Sequence, residues 1–198
     1  GLQGASGNIY FSARQVDGIE PAGNFLYWST DYGRTWVPSE PLPSLSSETS
    51  IAWLHNSSDE RIVMNIRNGS QRLQVVFGRD GTPGPITRPA GLVDPDCQGS
   101  VLNQAGALYL SNANMSVRGQ RSHMTVKGSA DQGVTWGRGA LVWSGPSAYS
   151  QLVDLDGVGR LGLLFEAGEA GPYETISWVT LDAPLAEAAA APDLEILI

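Results

Sequence analysis

The sequence predicts an all-β protein, a β-propeller built from repeated sets of short antiparallel strands. Three observations point there. An eight-residue turn motif recurs, its copies spaced by multiples of about 50 residues; short apolar runs of strand length fill the intervals; and helical periodicity is almost absent.

The first copy is Ser29-Thr30-Asp31-Tyr32-Gly33-Arg34-Thr35-Trp36 and the second Ser129-Ala130-Asp131-Gln132-Gly133-Val134-Thr135-Trp136, identical at five of eight positions. Midway lies a decayed copy, Gly78-Arg79-Asp80-Gly81-Thr82-Pro83, whose aspartate falls 49 residues after Asp31 and 51 before Asp131. Each copy follows a strand-like run (Asn24–Trp28, Leu73–Phe77 and His123–Lys127) and precedes another extended stretch, which places the motif in a hairpin turn. There Asp31, Asp80 and Asp131 are expected to accept hydrogen bonds from backbone N–H groups. The glycines supply positive φ, and Trp36 and Trp136 pack beneath the turn. The motif is read as a structural staple.

Further strands are expected over Gly7–Ala13, Ser50–Leu54, Arg61–Ile66, Gly106–Leu110, Ala140–Trp143, Gln151–Leu155, Leu161–Glu166 and Glu174–Leu181. A period of about 50 residues is that of a four-stranded propeller blade, so 198 residues make an incomplete set of about four blades. The expected layout is a partial propeller domain over 1–182, followed by an Ala-rich 183–198 that reads as a short helix or a loose tail.

Composition narrows the function. With 41% hydrophobic residues, six Trp, six Tyr and four Phe, the chain has too much apolar area to stay disordered. No run approaches the ~18 apolar residues of a membrane span. Twelve Lys and Arg against 20 Asp and Glu give a net charge of −8, and the basic residues are scattered, which argues against nucleic acid as a partner. One cysteine, Cys97, excludes an internal disulfide framework and a Cys-based zinc site. His55 and His123 are too few and too distant to suggest a metal cluster, so neither metal nor cofactor is implied.

Four segments between the turns carry candidate chemistry. Glu48-Thr49-Ser50-Ile51-Ala52-Trp53-Leu54 is followed, 19 residues after Glu48, by Arg67; Leu92–Leu102 contains Asp94-Pro95-Asp96-Cys97; Arg121 stands eight residues before Ser129, with Arg118 close by; and Gly145-Pro146-Ser147-Ala148-Tyr149-Ser150 precedes Leu163-Leu164-Phe165-Glu166. Read singly, Glu48 is a solvated turn carboxylate, Arg67, Arg118 and Arg121 are surface cations, and Tyr149 is a half-buried strand-end tyrosine.

The repeated Ser-x-Asp-x-Gly-x-Thr-Trp resembles the Asp-box, or BNR repeat, of the sialidase (neuraminidase) superfamily, and the four segments, in this order, resemble those of its exo-α-sialidases. The resemblance implies a six-bladed propeller of which this chain is the portion from the third blade onward. It implies Tyr149 as nucleophile, Glu48 as its base, Arg67 and Arg121 as two members of a carboxylate-binding arginine triad, and Glu166 as the partner of the first triad arginine. Arg118 competes with Arg121 for its place. Leu92–Leu102 reads as architectural, with Cys97 a buried thiol. The implied substrates are sialylated glycans.

The residue types suit that chemistry. Sialic acid carries a carboxylate on its anomeric carbon, and the planar fork of Arg holds an anion by bidentate hydrogen bonds. The same carboxylate would repel an attacking Asp or Glu, whereas a neutral phenol avoids that repulsion. A phenol with a pKa near ~10 needs a neighbouring base.

The chain departs from the family pattern in lacking a Phe/Tyr-Arg-Ile-Pro segment with the first triad arginine, and the acid/base aspartate that follows it. By itself it is therefore expected to be inactive. Ser12-Ala13-Arg14 stands where many relatives have Pro-Ala-Tyr, so Arg14 meets a glycerol side chain, an aglycone or solvent. Two other readings share the motifs: a trans-sialidase, and a non-catalytic Asp-box propeller that binds glycan or protein.

Overall fold

A computed structural model describes residues 1–15, 23–42, 47–54 and 61–183; beyond Ala183, the stretch read as a short helix or a loose tail lies outside them. All regular structure among the described residues is β. The strands are β1 (Leu2–Gln3), β2 (Ile9–Gln15), β3 (Gly23–Ser29), β4 (Val37–Pro38), β5 (Thr49–Leu54), β6 (Arg61–Ile66), β7 (Leu73–Phe77), β8 (Gly99–Gln104), β9 (Ala107–Ala113), β10 (Ser122–Ser129), β11 (Ala140–Asp154), β12 (Arg160–Ala167) and β13 (Thr175–Asp182). They form three antiparallel meanders: β1-β2-β3-β4, β5-β6-β7, and a six-stranded sheet from β8 to β13 in sequence order.

The sheets stack through side chains that alternate along each strand. Ile62, Met64 and Ile66 of β6 pack with Tyr10, Leu26 and Leu42 on one side, while Val63 points the other way to join Leu92, Val101, Leu110 and Trp136. Both faces of β6 are thus covered, which is why Arg61–Ile66 reads as a nearly continuous apolar run. A third cluster, with Met124, Val126, Leu152, Leu161, Leu163 and Phe165, sits within the last sheet where it folds over on itself. Such face-to-face stacking of meanders is propeller-like.

One expected boundary is wrong. Ala140–Trp143 and Gln151–Leu155, read as separate strands because Gly145-Pro146 lies between them, fall, up to Asp154, in the single strand β11. Its first part pairs with β10 up to Ser122↔Pro146, and from Ser147↔Ala167 onward it pairs with β12. The proline, which has no N–H to give, falls where the strand changes partners.

The two full turn motifs have the same wiring. Asp31 Oδ1 accepts from Ser29 Oγ and Thr35 N, each at 2.8 Å, and Asp31 Oδ2 from Thr35 Oγ1 at 2.7 Å; Asp131 repeats this with Ser129 and Thr135 at 2.8, 2.9 and 2.6 Å. Trp36 and Trp136 each donate from Nε1 to the carbonyl of the motif glycine, Gly33 or Gly133. Positive φ is taken by both the glycine and the residue before it, Tyr32 or Gln132. Trp136 is buried as expected; Trp36 is not, being 38% exposed against the Phe11 ring. In the decayed copy Asp80 Oδ1 accepts from Thr82 N at 3.0 Å.

Candidate active site

The antiparallel order brings the start of β5, the end of β6 and the approaches to β8 and β10 to one end of the sheets. Glu48 directly precedes β5 and Arg67 directly follows β6, and Arg67 N donates to Glu48 O at 3.0 Å, extending the ladder by one step. The 19-residue spacing between them is a hairpin closing on itself. Their side chains meet as well, Arg67 Nη1 donating to Glu48 Oε2 at 2.7 Å. The Asp131 turn lies at the far end of β10 from Arg121, roughly 25 Å away at about 3.3 Å per strand residue.

Tyr149 lies on β11 just past the change of partners, and its hydroxyl donates to Glu48 Oε1 from 101 residues away in sequence. Its backbone N–H donates to Glu166 Oε2 at 2.9 Å, so Glu166, near the end of β12, holds the strand segment that carries the phenol. Ser150, the next residue, is fixed by Gln98 Oε1 at 2.9 Å and by the Ser111 hydroxyl at 2.8 Å.

Arg121 comes immediately before β10, next to a register shift at His123, whose φ is 60°. Its guanidinium carbon lies 5.8 Å from the centre of the Tyr149 ring, and its two terminal nitrogens donate to Tyr173 Oη and to the Asp96 carbonyl, both at 2.8 Å. Both arginines weighed for this position reach the same residue, for Arg118 Nε donates to Asp96 Oδ2 at 2.9 Å, but the Arg118 side chain is 78% exposed.

Proton positions follow from these contacts. Burial opposes ionisation of Glu48, but hydrogen bonds from Tyr149 and Arg67 outweigh it and hold the carboxyl below its ordinary range. Burial, followed by the Glu48 hydrogen bond and charge, pushes the Tyr149 phenol above its ordinary value. The resting pair is therefore a neutral phenol donating to a carboxylate. Burial pushes the Cys97 thiol up to about 11, which leaves it protonated and unreactive at neutral pH.

Asp96 and the groups beneath it were not legible as site residues. Asp96 has φ 64° and accepts from Arg67 Nε at 2.8 Å through Oδ1. Below it, buried Asp94 accepts from Asn68 N and Cys97 N at 2.8 and 2.9 Å, and buried Arg72 donates to the Cys97 carbonyl at 2.9 Å and faces Asp94 Oδ2 at 3.6 Å. Gly99 makes room for this arrangement, since a Cβ there would lie 2.8 Å from Ser111 O and 3.1 Å from Arg72 Cζ. The Asp-Pro-Asp run was the only signal, and it reads as an ordinary turn. Beside β11, Tyr149 and Glu166 share a mainly apolar hollow of about 300 Å³ with Gln98, Leu164, Phe165 and Ile176.

The profile of the BNR repeat-like domain family matches residues 2–163. The chain belongs to that family. A sialidase of Micromonospora viridifaciens is 30% identical to this BNR-repeat chain over 178 residues, which is 81% of the chain and 27% of the relative. Among solved structures, the Hadza microbial sialidase Hz136 is similar at TM-score 0.72 and 24% identity, over 91% of this chain and 36% of that one. The intramolecular trans-sialidase from Ruminococcus gnavus, in complex with oseltamivir carboxylate, is similar at TM-score 0.67 and 16% identity, over 96% of this chain and 43% of that one. The chain thus spans well under half the length of these relatives. Their names agree with the sialidase resemblance carried by the motifs.

Proposed function

We propose that this BNR-repeat chain carries the nucleophile side of an exo-α-sialidase site that releases terminal sialic acid from glycans with retention of configuration. The reading rests above all on one contact, the Tyr149 hydroxyl donating to a carboxylate that is itself paired with Arg67. Tyr149 Oη attacks the anomeric carbon while the glycosidic C–O bond breaks, and the phenol proton passes to Glu48. Arg67 and Arg121 hold the substrate carboxylate, and Glu166 fixes the backbone at Tyr149 and serves the first triad arginine. Water then displaces the phenol oxygen, giving up a proton to the group that protonated the leaving sugar oxygen, and Glu48 returns its own proton to the phenol.

The leaving group must be protonated by a group outside the motifs matched here, since neither the first triad arginine nor the acid/base aspartate of the family pattern is among these residues. We assign the three sheets to about four blades of a six-bladed propeller, with 1–182 as the propeller portion. The 198-residue chain alone is therefore expected to be inactive.

In a full-length protein, meaning a six-bladed propeller that contains this chain, Tyr149→Phe should lower turnover of a fluorogenic sialoside by about 10³-fold or more while leaving binding of a sialic acid analogue, followed by calorimetry, largely intact. Undiminished turnover would remove Tyr149 from the mechanism. Loss of binding together with turnover would place it in recognition instead.

A further inference from the structure

Asp96 touches Arg67, Arg118 and Arg121: its carboxylate takes Arg67 Nε and Arg118 Nε, and its carbonyl takes Arg121 Nη2. Its position is imposed from below by the Asp94 turn, the buried Arg72 and a backbone held at positive φ.

The consequence lies in how Arg67 is divided. A guanidinium has five N–H groups in a rigid plane. Here Nε goes to Asp96 and Nη1 to Glu48 Oε2, and Nη2 takes part in neither contact. Glu48 therefore receives a single bond from Arg67 and keeps Oε1 for the phenol. The favoured alternative for an arginine beside a carboxylate is the two-pronged fork. If Arg67 closed end-on over Glu48 with Nη1 and Nη2, the carboxylate would turn into the guanidinium plane and carry Oε1 away from Tyr149. The Nη2 edge, which neither contact uses, would be consumed at the same time.

We infer that Asp96 is a positioning residue: by holding Arg67 through Nε it prevents a bidentate Arg67–Glu48 pair and so keeps Glu48 available as the base for Tyr149. Its role in turnover rests on the sialidase reading above, but its effect on the phenol does not.

The test is an ultraviolet titration of Tyr149, taken as the difference between each protein and the same protein carrying Tyr149→Phe. The charged groups around the phenol are Glu48, Arg67, Arg121 and Glu166, with the Cys97 thiol beneath. In the parent protein the phenol should titrate above the ordinary value of about 10, raised by burial and by the Glu48 hydrogen bond. Asp96→Ala should bring it down toward that value. Asp96→Asn, which keeps an oxygen for Arg67 Nε, should stay near the parent, and Arg118→Ala should leave it unchanged. In the full-length protein kcat should fall about tenfold or more in Asp96→Ala and recover in Asp96→Asn.

Equal shifts in Asp96→Ala and Asp96→Asn would mean that only the charge matters and would overturn the proposal, as would an unshifted phenol in Asp96→Ala. If the alanine variant fails to fold, an asparagine variant that titrates at the ordinary value decides against it. Full activity of Tyr149→Phe would sink the sialidase reading while leaving the titration result intact.

Discussion

At the scale of single residues, proton affinity carries the argument. On the proposed mechanism Glu48 serves as a base only while ionised, and the hydrogen bonds that lower its pKa keep it so to lower pH than an ordinary glutamate. In the full-length protein kcat/KM should therefore hold at mildly acidic pH and fall as pH drops through that depressed value. Glu48→Gln should lose about 10²- to 10⁴-fold and abolish that acid limb, which a pH–rate profile would reveal. Asp31 makes the corresponding point for stability. Hydrogen bonds from Thr35, and then from Ser29, lower its pKa from 3.8 to about 2. Its stabilisation is complete above the unfolded value and disappears as pH falls through the folded one. The unfolding midpoint of Asp31→Asn should lie below that of the parent near neutral pH, and the gap should close as pH approaches 2.

At the scale of the element, the turn before β8 and the course of β11 decide where the chemistry sits. Asp94 and Arg72 are both fully buried. Removing the anion in Asp94→Ala leaves a buried cation and two backbone donors without it, at a cost of about 3–5 kcal/mol; urea denaturation would measure this. The same elements mark the limits of legibility. Strands such as β3, β6, β7 and β12 could be read because burial on one or both faces writes itself into residue type. The unity of β11 could not, because Gly145-Pro146 is locally a stop signal, and only the partners on either side show the chain passing straight through. Glu48, Arg67, Arg121 and Tyr149 could be singled out because they lie within motifs whose order and spacing are distinctive. Asp96 could not, since its importance comes from a positive φ and from three arginines that converge on it from the end of β6 and from the loop before β10.

At the scale of the whole molecule, burial is uneven. Leu163 on β12 is wholly buried, whereas Ile176 and Trp178 on the neighbouring β13 are 72% and 53% exposed. Leu163→Ala should cost about 2–5 kcal/mol, while Ile176→Thr in the 198-residue chain should change stability by about 0.5 kcal/mol or less. Comparing the Ile176→Thr penalty in the full-length protein with that in this chain would test the six-bladed assignment. A further blade against β13 makes the substitution costly there, and an equal small effect in both would count against one.

The passage of β11 from one set of hydrogen-bond partners to the next also has a mechanical meaning. The strand is a tie-rod across a joint, and the phenol is mounted just beyond the crossing. Any slippage between the β10 and β12 sides would pull on Tyr149 itself, so this joint is poorly suited to open and close as a hinge. Tyr149 is held on a stiff mount, and on the function proposed above any rearrangement that admits a substrate falls to the loops around it.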